Sequence, residues 1–317
     1  LREENAEGVI VQFGGQTAIN LAGPLHKEGI KIFGTSFDSI ERAEHRGRFD
    51  DLLSGLDIPR PRGRAVVSME EAVECANDIG YPLLVRPSFV LGGRAMEIVY
   101  DQKHLEKYFA TALLVNPEHP VLVDEYVLGR ELEVDLIGDG KDFLIPGIME
   151  HIERAGVHSG DSMAVYPPQT VDESTLKTIV DFSGRISEAL EVRGLMNIQY
   201  VVRDGRVYVI EVNPRASRTI PFLSKITGIP MVKTATRAIL GRSLKEQGMP
   251  TGLPEPARHI AVTSPVFSFA KMMDVDVSLG PEMKSTGEVM GIDYSYDRSL
   301  YKAMLSAGVK IPPTDGH

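Results

Sequence analysis

The sequence has few of the features that mark secreted, membrane or nucleic-acid-binding proteins. It contains one cysteine, Cys75, so no intramolecular disulfide can form and we expect a reducing, cytoplasmic environment. No stretch of about 18 apolar residues is present, which argues against a membrane span. The formal net charge is −10, the opposite of the basic excess typical of nucleic-acid binders. These absences predict a globular protein that concentrates its Arg and Lys locally wherever it binds phosphate.

Two further absences concern nucleotide binding and the start of the chain. The sequence contains neither a Gly-Lys-Ser/Thr phosphate loop nor a G-x-G-x-x-G fingerprint, so the two commonest nucleotide motifs are excluded. It also lacks an initiator Met. The residues before 34 match only the last part of an α/β unit, without its opening strands. We therefore expect the sequence to be a piece of a longer polypeptide.

Three lobes are predicted along the chain. Apolar runs at 8–13 and 30–34 flank a Gly-Gly-Gln-Thr turn and a helical stretch to about Glu28, a pattern typical of a parallel α/β unit. After a helical stretch at 38–56 and a Pro/Arg-rich link, the composition changes. We predict lobes at 1–59, 60–125 and 126–317.

The middle segment reads as a compact α+β lobe. Ser68-Met69-Glu70-Glu71 has the spacing of a capping box and opens a helix to about Ile79. Two strands joined by a glycine-rich turn, a helix near 102–114 and a strand at 121–124 follow. In the third lobe, apolar residues share one helical face over 173–191.

The most informative stretch, residues 197–213, predicts a β-hairpin around Asp204-Gly205. Six even-numbered residues on either side of this turn are apolar and favour one common buried face: Ile198, Tyr200, Val202, Tyr208, Ile210 and Val212. A two-residue turn would split them, so we predict a three-residue loop with Gly205 in the left-handed conformation. That register puts Gln199, Glu211 and Asn213 together on the opposite face.

This polar face predicts a metal site. Two side-chain amides and a carboxylate offer the hard oxygen ligands that magnesium prefers, with substrate phosphates and water completing its shell. Arg215 and Arg218 follow directly and are placed for a phosphoryl group or an acid substrate. An ordinary strand with a solvated polar face is the alternative.

Three other segments are candidates for nucleotide contacts. Arg86 precedes a glycine loop containing Gly92 and Gly93, whose backbone amides can approach phosphate, although a flexible hairpin tip is the simpler interpretation. Extended backbone at 123–127 could bond an adenine edge, and Glu131 could accept both ribose hydroxyls or be an ordinary surface carboxylate. The polar loop at 156–162 carries His158, which could contact phosphate.

Taken together, these segments resemble the ATP-grasp superfamily, and within it the family of carbamoyl-phosphate synthase large subunits, in their second, carbamate-phosphorylating half. The resemblance covers essentially the whole chain. Its strongest segments are VQFGGQTAINLA, LLVRPSFVLGGRAMEIVY, IMEHIERAGVHSGDS, RGLMNIQYVV, VIEVNPRASRT and LGPEMKSTGEVMG.

The resemblance implies an α/β fold of α+β lobes: an ATP-grasp fold behind a truncated, Rossmann-like pre-ATP-grasp domain. It implies ATP contacts from Arg48, Arg86, Gly92, Gly93, Glu125, Val127, Glu131, Gly156, Val157, His158, Ser159, Gln199 and Glu211. It further implies that Gln199, Glu211 and Asn213 hold two Mg²⁺ or Mn²⁺ ions, and that Arg215 and Arg218 orient carbamate or product. A potassium site would match Glu131, His151 and Ser162, but Arg154 replaces a neutral Gln of known relatives.

The implied activity is a ligase reaction in arginine and pyrimidine biosynthesis, in which carbamate and ATP give carbamoyl phosphate and ADP. The implied partners are the first synthetase half and a small glutaminase subunit, because nothing in this chain resembles a glutaminase. Two alternatives remain: another ATP-grasp ligase, such as a biotin carboxylase or a peptide-forming ligase, or a non-catalytic nucleotide-binding module.

Overall fold

The computed structural model describes residues 4–87, 96–115, 120–268 and 277–310. Ten helices are present in these ranges: α1 (Gly15–Asn20), α2 (Ala22–Lys27), α3 (Phe37–Glu44), α4 (Arg46–Gly55), α5 (Met69–Ile79), α6 (Gln102–Val115), α7 (Glu173–Ala189), α8 (Ile220–Thr227), α9 (Met231–Ile239) and α10 (Tyr296–Ser306). None of the helices in these ranges is long and apolar enough to cross a membrane.

Twelve strands are described, and they form two antiparallel sheets. They are β1 (Gly63–Val66), β2 (Leu83–Pro87), β3 (Glu97–Val99), β4 (Val121–Glu125), β5 (Arg130–Asp139), β6 (Phe143–Leu144), β7 (Ile148–His151), β8 (Ala164–Tyr166), β9 (Arg193–Arg203), β10 (Arg206–Asn213), β11 (Ile260–Val266) and β12 (Gly287–Asp293). The small sheet has the order β1-β4-β2-β3. The large sheet has the order β10-β9-β5-β7-β8-β11-β12, with β6 added to β5.

The first segment is more helical than its sequence predicts. The two apolar runs do not form strands: they meet in one parallel bridge, Val9 to Ile32, and the chain turns at Gln12. The physical reason is that Val11, Ile19, Ala22 and Ile40 form a small core with α1, α2 and α3. The apolar residues are therefore removed from water without pairing in a sheet. The expected parallel geometry is retained only in that bridge.

The small sheet is covered by α5 and α6, which bury one apolar core between them and the strands. The Ser68 hydroxyl accepts a hydrogen bond from the Glu71 backbone N–H, as the capping box predicts. The Glu71 carboxylate returns the interaction to the Val67 N–H rather than to that of Ser68. Two unpaired donors at the start of α5 are satisfied in this way.

The large sheet buries apolar residues on both faces. On one face, α4 and α7 pack Phe49, Leu53, Ile179 and Ile186 against the strands, and on the other, α8 and α9 form a second core. Fully burying one such side chain contributes about 1.5–3 kcal/mol. The predicted apolar face of α7 is confirmed, and Asp172 caps its first turn by accepting from Thr175 N. Part of the second face stays polar, and the candidate site lies there.

The predicted hairpin loop is wrong. Arg206 pairs with Arg203, so the turn has only two residues, Asp204 and Gly205, with φ of 52° and 73°. Both values fit the type I′ turn, whose twist matches that of paired strands. The register then shifts by one residue at Ile210, which is a β-bulge. The sequence pattern was compatible with a three-residue loop, whereas the chain forms a two-residue turn and adds a β-bulge in β10.

The bulge also changes which side chains share a face. Ile198, Tyr200 and Val212 join the core under α7, together with the odd-numbered Val207 and Val209. Tyr208 and Ile210 lie on the opposite face, with Val127, Ala155 and Val201. The expectation that all even positions are buried together is therefore wrong for these two.

Candidate active site

Six polar side chains line one face of neighbouring strands β5, β9 and β10. We call this the acidic face and define it as Glu131, Glu133, Asp135, Gln199, Glu211 and Asn213. Strand pairing puts Glu133 beside Gln199, and Gln199 directly opposite Glu211. Asp135, Asn197 and Asn213 form the next row. Because paired residues point to the same side of a sheet, the three predicted metal ligands face one space.

Hydrogen bonds orient the predicted ligands. Gln199 Nε2 donates to Ser159 Oγ at 3.2 Å, and Asn213 Nδ2 donates to Glu211 Oε1 at 2.9 Å. Within the described residues these bonds leave Gln199 Oε1 and Glu211 Oε2 as open acceptors. The donor set therefore fits a hard divalent cation.

The described residues alone do not form a complete metal cage. Among the described residues, no group of three or more His, Cys, Asp or Glu side chains is arranged around a common ion position. The predicted set has one carboxylate and two amides. That composition suits Mg²⁺, which keeps waters and substrate phosphates in its coordination shell.

Behind the predicted ligands lies a fully buried carboxylate pair. Asn197 Nδ2 donates to Glu133 Oε1 at 2.7 Å and to Asp135 Oδ1 at 3.1 Å. Ser217 and Thr219 also donate to Asp135. Burial, and then the charge of Glu133, raise the pKa of Asp135 from 3.8 to about 7. A cation on this face would therefore compete with the proton of Asp135.

His151 on β7 lies buried between two of these carboxylates. Its Nε2 is 3.5 Å from Glu133 Oε2, and its Nδ1 is 3.8 Å from Glu131 Oε2. Burial lowers the pKa of His151, but its hydrogen bond to Glu133 and the nearby carboxylate charges outweigh that, and the net pKa is raised. Of the predicted potassium set, Glu131 and His151 are neighbours, whereas Ser162 donates to Glu153 and Arg154 is exposed.

Arg215 lies at the edge of the acidic face with a defined orientation. Its Nε donates to Gln16 Oε1 at 3.0 Å, its Nη1 to Ala216 O at 3.2 Å and its Nη2 to Asn213 Oδ1 at 3.2 Å. Among the described residues, one N–H on each terminal nitrogen remains without an acceptor. Two such donors match the two oxygens of a carboxylate or a phosphate.

Arg218 is held on the other side by the segment that precedes β12. Its Nη1 donates to Ser285 Oγ at 3.4 Å and lies 2.9 Å from Met283 Sδ. Gly160 gives this guanidinium its room, since a Cβ there would lie 2.1 Å from Arg218 Nη1. The side chain is exposed and faces the same loop as Ser159.

The apolar end of the face fits the predicted nucleotide clamp. Val127 is buried with Ala155, Val201, Tyr208 and Ile210. Consecutive residues of a regular strand point to opposite faces of the sheet. The bulge at Ile210 changes this, so that apolar Ile210 and acidic Glu211 lie on the same face.

The 156–158 loop is fixed against this end of the face. Gly156 has φ +97°, its N–H donates to Glu131 Oε1 at 3.1 Å, and a Cβ on it would meet Tyr126. Val157 is half-buried beside it. Burial raises the pKa of Glu131, whereas burial lowers that of His158, which accepts from Gly160 N through Nδ1.

The remaining predicted contacts are more scattered. Glu125 is bound by Arg62 and Arg203, at 3.3 and 3.1 Å, so its carboxylate is already paired. Arg86 lies 3.8 Å from Asp124. Arg48 sits on the outer surface of α4 and pairs with Asp38 and Glu41, and the described contacts do not bring it to the acidic face. Gly92 and Gly93 lie outside the described residues.

Sequence reasoning missed several residues that shape this site. Glu133, Asp135, Asn197, Ser217 and Thr219 form the buried network, and Gln16 binds Arg215. The alternation Glu-x-Glu-x-Asp over 131–135 was visible as a signal for the first two. Nothing in the sequence pattern joins Gln16 to Arg215.

Comparison with solved structures defines the class of the fold. A Campylobacter jejuni biotin carboxylase in a β-γ-ATP complex superposes with a TM-score of 0.75 at 17% identity, covering 95% of this chain and 74% of that one. The biotin carboxylase domain of Hydrogenobacter thermophilus 2-oxoglutarate carboxylase, in complex with MgADP, ADP and bicarbonate, gives 0.71 at 17%, covering 91% and 71%. Rhizobium etli pyruvate carboxylase gives 0.68 at 19%, covering 84% and 24%. The chain has an ATP-grasp fold.

The family follows from the sequence match. The family described as "Carbamoyl-phosphate synthase L chain, ATP binding domain" matches residues 45–247. The one described as "Carbamoyl phosphate synthase preATP-grasp domain" matches residues 1–42. The chain therefore belongs to the family of carbamoyl-phosphate synthase large chains and contains its ATP-binding domain.

Proposed function

We propose that this chain phosphorylates carbamate with MgATP to give carbamoyl phosphate and ADP, as the second synthetase half of a glutamine-dependent carbamoyl-phosphate synthase. A bond forms between a carbamate oxygen and the γ-phosphorus, while the bond from that phosphorus to the β,γ-bridging oxygen breaks. Carbamate is already an anion, so no general base is required. What the protein must provide is positioning and charge neutralisation.

One observation carries the proposal. The oxygens of Gln199 and Glu211 that remain open as acceptors lie on the same face of the sheet as Asn213. Asn213 Oδ1 accepts a hydrogen bond from the Arg215 guanidinium. Asn213, the last residue of β10, belongs to the proposed cation site, and Arg215, two residues later, belongs to the proposed anion site. Such a pair of sites suits a nucleotide γ-phosphate on one side and a small acid on the other.

The roles of the chain's own residues follow from their contacts. Val127, Val201 and Ile210 provide an apolar surface for the base, and Glu131 lies beside it as an acceptor for ribose hydroxyls. Arg215 has one N–H left on each terminal nitrogen for the acid. A divalent ion bound by Gln199, Glu211 and Asn213, magnesium as in the 2-oxoglutarate carboxylase complex or manganese, would neutralise phosphate charge.

The reverse reaction tests this proposal. The purified chain is given carbamoyl phosphate and MgADP, and ATP formation is followed. Glu211→Gln removes the only predicted ligand charge with little change in shape, and we expect ATP formation to fall by about 10²-fold or more. Glu188→Gln on the exposed face of α7 is the matched control and should keep full activity.

Each outcome has a defined meaning. ATP formation that disappears in Glu211→Gln but persists in Glu188→Gln supports the proposal. A folded chain that binds MgADP but forms no ATP from carbamoyl phosphate contradicts the proposed reaction for this chain. Equal rates in the two variants would contradict the role of Glu211.

Bicarbonate is the second candidate acid, because the 2-oxoglutarate carboxylase domain of the same fold was solved with bicarbonate. Bicarbonate and carbamate differ only in OH against NH₂. ATP hydrolysis that depends on bicarbonate, without ATP formation from carbamoyl phosphate, would favour this candidate.

The assembly is also a proposal. A first synthetase half would supply carbamate, and a small glutaminase subunit would supply ammonia to it. A potassium ion beside Glu131 and His151 belongs to the same proposal. Its test is whether K⁺ in place of Na⁺ changes the rate of the reverse reaction.

A further inference from the structure

Arg215 is oriented by a hydrogen-bonded relay that begins in the first segment of the chain. Gln16 on α1 lies half-buried at the edge of the acidic face, 199 residues before Arg215 in sequence. Its Oε1 accepts from Arg215 Nε at 3.0 Å. Its Nε2 donates to Glu44 Oε2 at 2.8 Å and to Asn20 Oδ1 at 3.1 Å. The Gln16 amide therefore uses both of its donors and one acceptor.

The chemistry of the partners fixes the direction of this amide. An ionised carboxylate such as Glu44 can only accept, and a guanidinium such as Arg215 can only donate. The nitrogen of Gln16 must therefore face Glu44 and its oxygen must face Arg215. The reversed amide would set oxygen against carboxylate and nitrogen against guanidinium, losing both hydrogen bonds.

The direction matters because Gln16 occupies the Nε side of the guanidinium. With Ala216 O and Asn213 Oδ1 taking one N–H on each terminal nitrogen, the plane of the guanidinium is defined by three acceptors. The two remaining N–H groups, one on Nη1 and one on Nη2, are the pair that can bind an oxyanion. Without Gln16, the guanidinium loses its contact to the first segment.

We propose that Gln16 is a positioning residue for the acid substrate, acting through Arg215, and that Glu44 sets its direction. The relay makes the first segment part of the acid-binding site of the ATP-grasp domain. This inference rests on the proposed function for the identity of the acid, but the oxyanion it concerns can be probed by itself.

The test is binding of inorganic phosphate, with MgADP affinity measured in parallel by calorimetry. Gln16→Ala should weaken phosphate binding about tenfold, the effect of one charge-assisted hydrogen bond, and leave MgADP affinity within about twofold. Gln16→Glu should also weaken phosphate binding, because a carboxylate at position 16 faces Glu44. Arg215→Ala defines complete loss.

A reciprocal exchange separates the relay from a structural role. In the double variant Gln16→Glu/Glu44→Gln, the amide at position 44 donates to the carboxylate at position 16, which still accepts from Arg215. Phosphate affinity should return to within about threefold of the wild type. The control exchange is Gln102→Glu/Glu106→Gln, an exposed pair on α6 with the same kind of amide–carboxylate bond, at 2.9 Å, which should change nothing.

The outcomes separate this inference from the proposed function. Recovery in the double variant supports the relay, even if the chain forms no ATP from carbamoyl phosphate, a result that would count against the proposed reaction only. Wild-type phosphate affinity in Gln16→Ala would overturn the relay. So would a double variant no better than Gln16→Glu, or phosphate binding that survives Arg215→Ala.

Discussion

At the scale of single residues, the buried pair Glu133 and Asp135 sets the character of the site. Burial and then the charge of Glu133 disfavour the ionised form of Asp135, and Asn197, Ser217 and Thr219 donate to the pair without bringing a charge. Asp135 consequently holds a proton to about pH 7. A divalent ion near this face relieves the repulsion, which couples metal binding to protonation.

Asp135 gives a prediction for the pH dependence of stability. Its pKa is raised from 3.8 to about 7 on folding, so between these values the folded state binds the proton and the unfolded state does not. The free energy of unfolding should therefore fall as pH rises from 4 to 7 in metal-free buffer. We expect Asp135→Asn to flatten this dependence, shifting the unfolding midpoint by several degrees.

The check is thermal unfolding followed by circular dichroism at steps of pH. His151, whose pKa is also raised, contributes with the same sign at higher pH. Asp181→Asn, at an exposed carboxylate paired with Arg185, is the control and should keep the wild-type slope. A slope in Asp135→Asn equal to that of the wild type would show that another group is responsible.

Residue types were easier to predict from the sequence than their contacts. Gln199, Glu211 and Asn213 could be placed on one face because strand alternation is a local property. The side chains that donate to Asp135 are 62 to 84 residues away, and Gln16, which binds Arg215, is 199 residues away. Those contacts depend on how the segments pack, which periodicity does not encode.

At the scale of elements, the sequence prediction for the β9–β10 hairpin placed Gln199, Glu211 and Asn213 on one face correctly although it gave the wrong turn length. For Gln199 and Glu211 to share a face, one residue between Val202 and Glu211 must remain without a partner in the other strand. The sequence predicted that residue in the loop, whereas the chain places it at Ile210. Asp-Gly strongly favours the two-residue turn, and that local preference determined the loop.

The turn provides a stability prediction with opposite signs at two glycines. Gly205 has φ +73°, so Gly205→Ala should lower the free energy of unfolding by about 1–2 kcal/mol. Gly55 lies within α4 with open space around it, so Gly55→Ala should raise that free energy by up to about 1 kcal/mol. Urea denaturation measures both, and an equal effect of the two substitutions would contradict the turn assignment.

At the scale of the whole molecule, charged groups connect the three parts of the chain. Asp124 on β4 accepts from Arg46 on α4 at 2.6 Å. The next residue, Glu125, binds Arg62 before β1 and Arg203 on β9. These pairs tie the small sheet to α4 and to the large sheet.

Arg203 tests this connection. Arg203→Met removes the pair with Glu125 while keeping an unbranched stem of similar bulk, and we expect amide exchange over 121–125 to accelerate about fivefold. Exchange in the centre of β9 should not change. Arg206 is the control: it also lies over the Tyr208 ring, at 5.2 Å against 5.6 Å, but the described residues give it no ion pair.

If Arg206→Met accelerated exchange over 121–125 as much as Arg203→Met, the stacking on Tyr208 rather than the ion pair would connect the sheets. Unchanged exchange in both variants would mean that the small sheet is held by its other contacts, such as the pair between Arg46 and Asp124.

Gly160 has a consequence for how variation in this chain should be interpreted. It bears no functional group, yet any side chain at this position would occupy the space of the Arg218 guanidinium. In a saturation mutagenesis experiment, side chains at position 160 should therefore displace the exposed Arg218 guanidinium at little cost in stability, so that any loss appears in activity rather than in folding. An inherited or evolved change there would resemble the loss of an arginine that is still present in the gene.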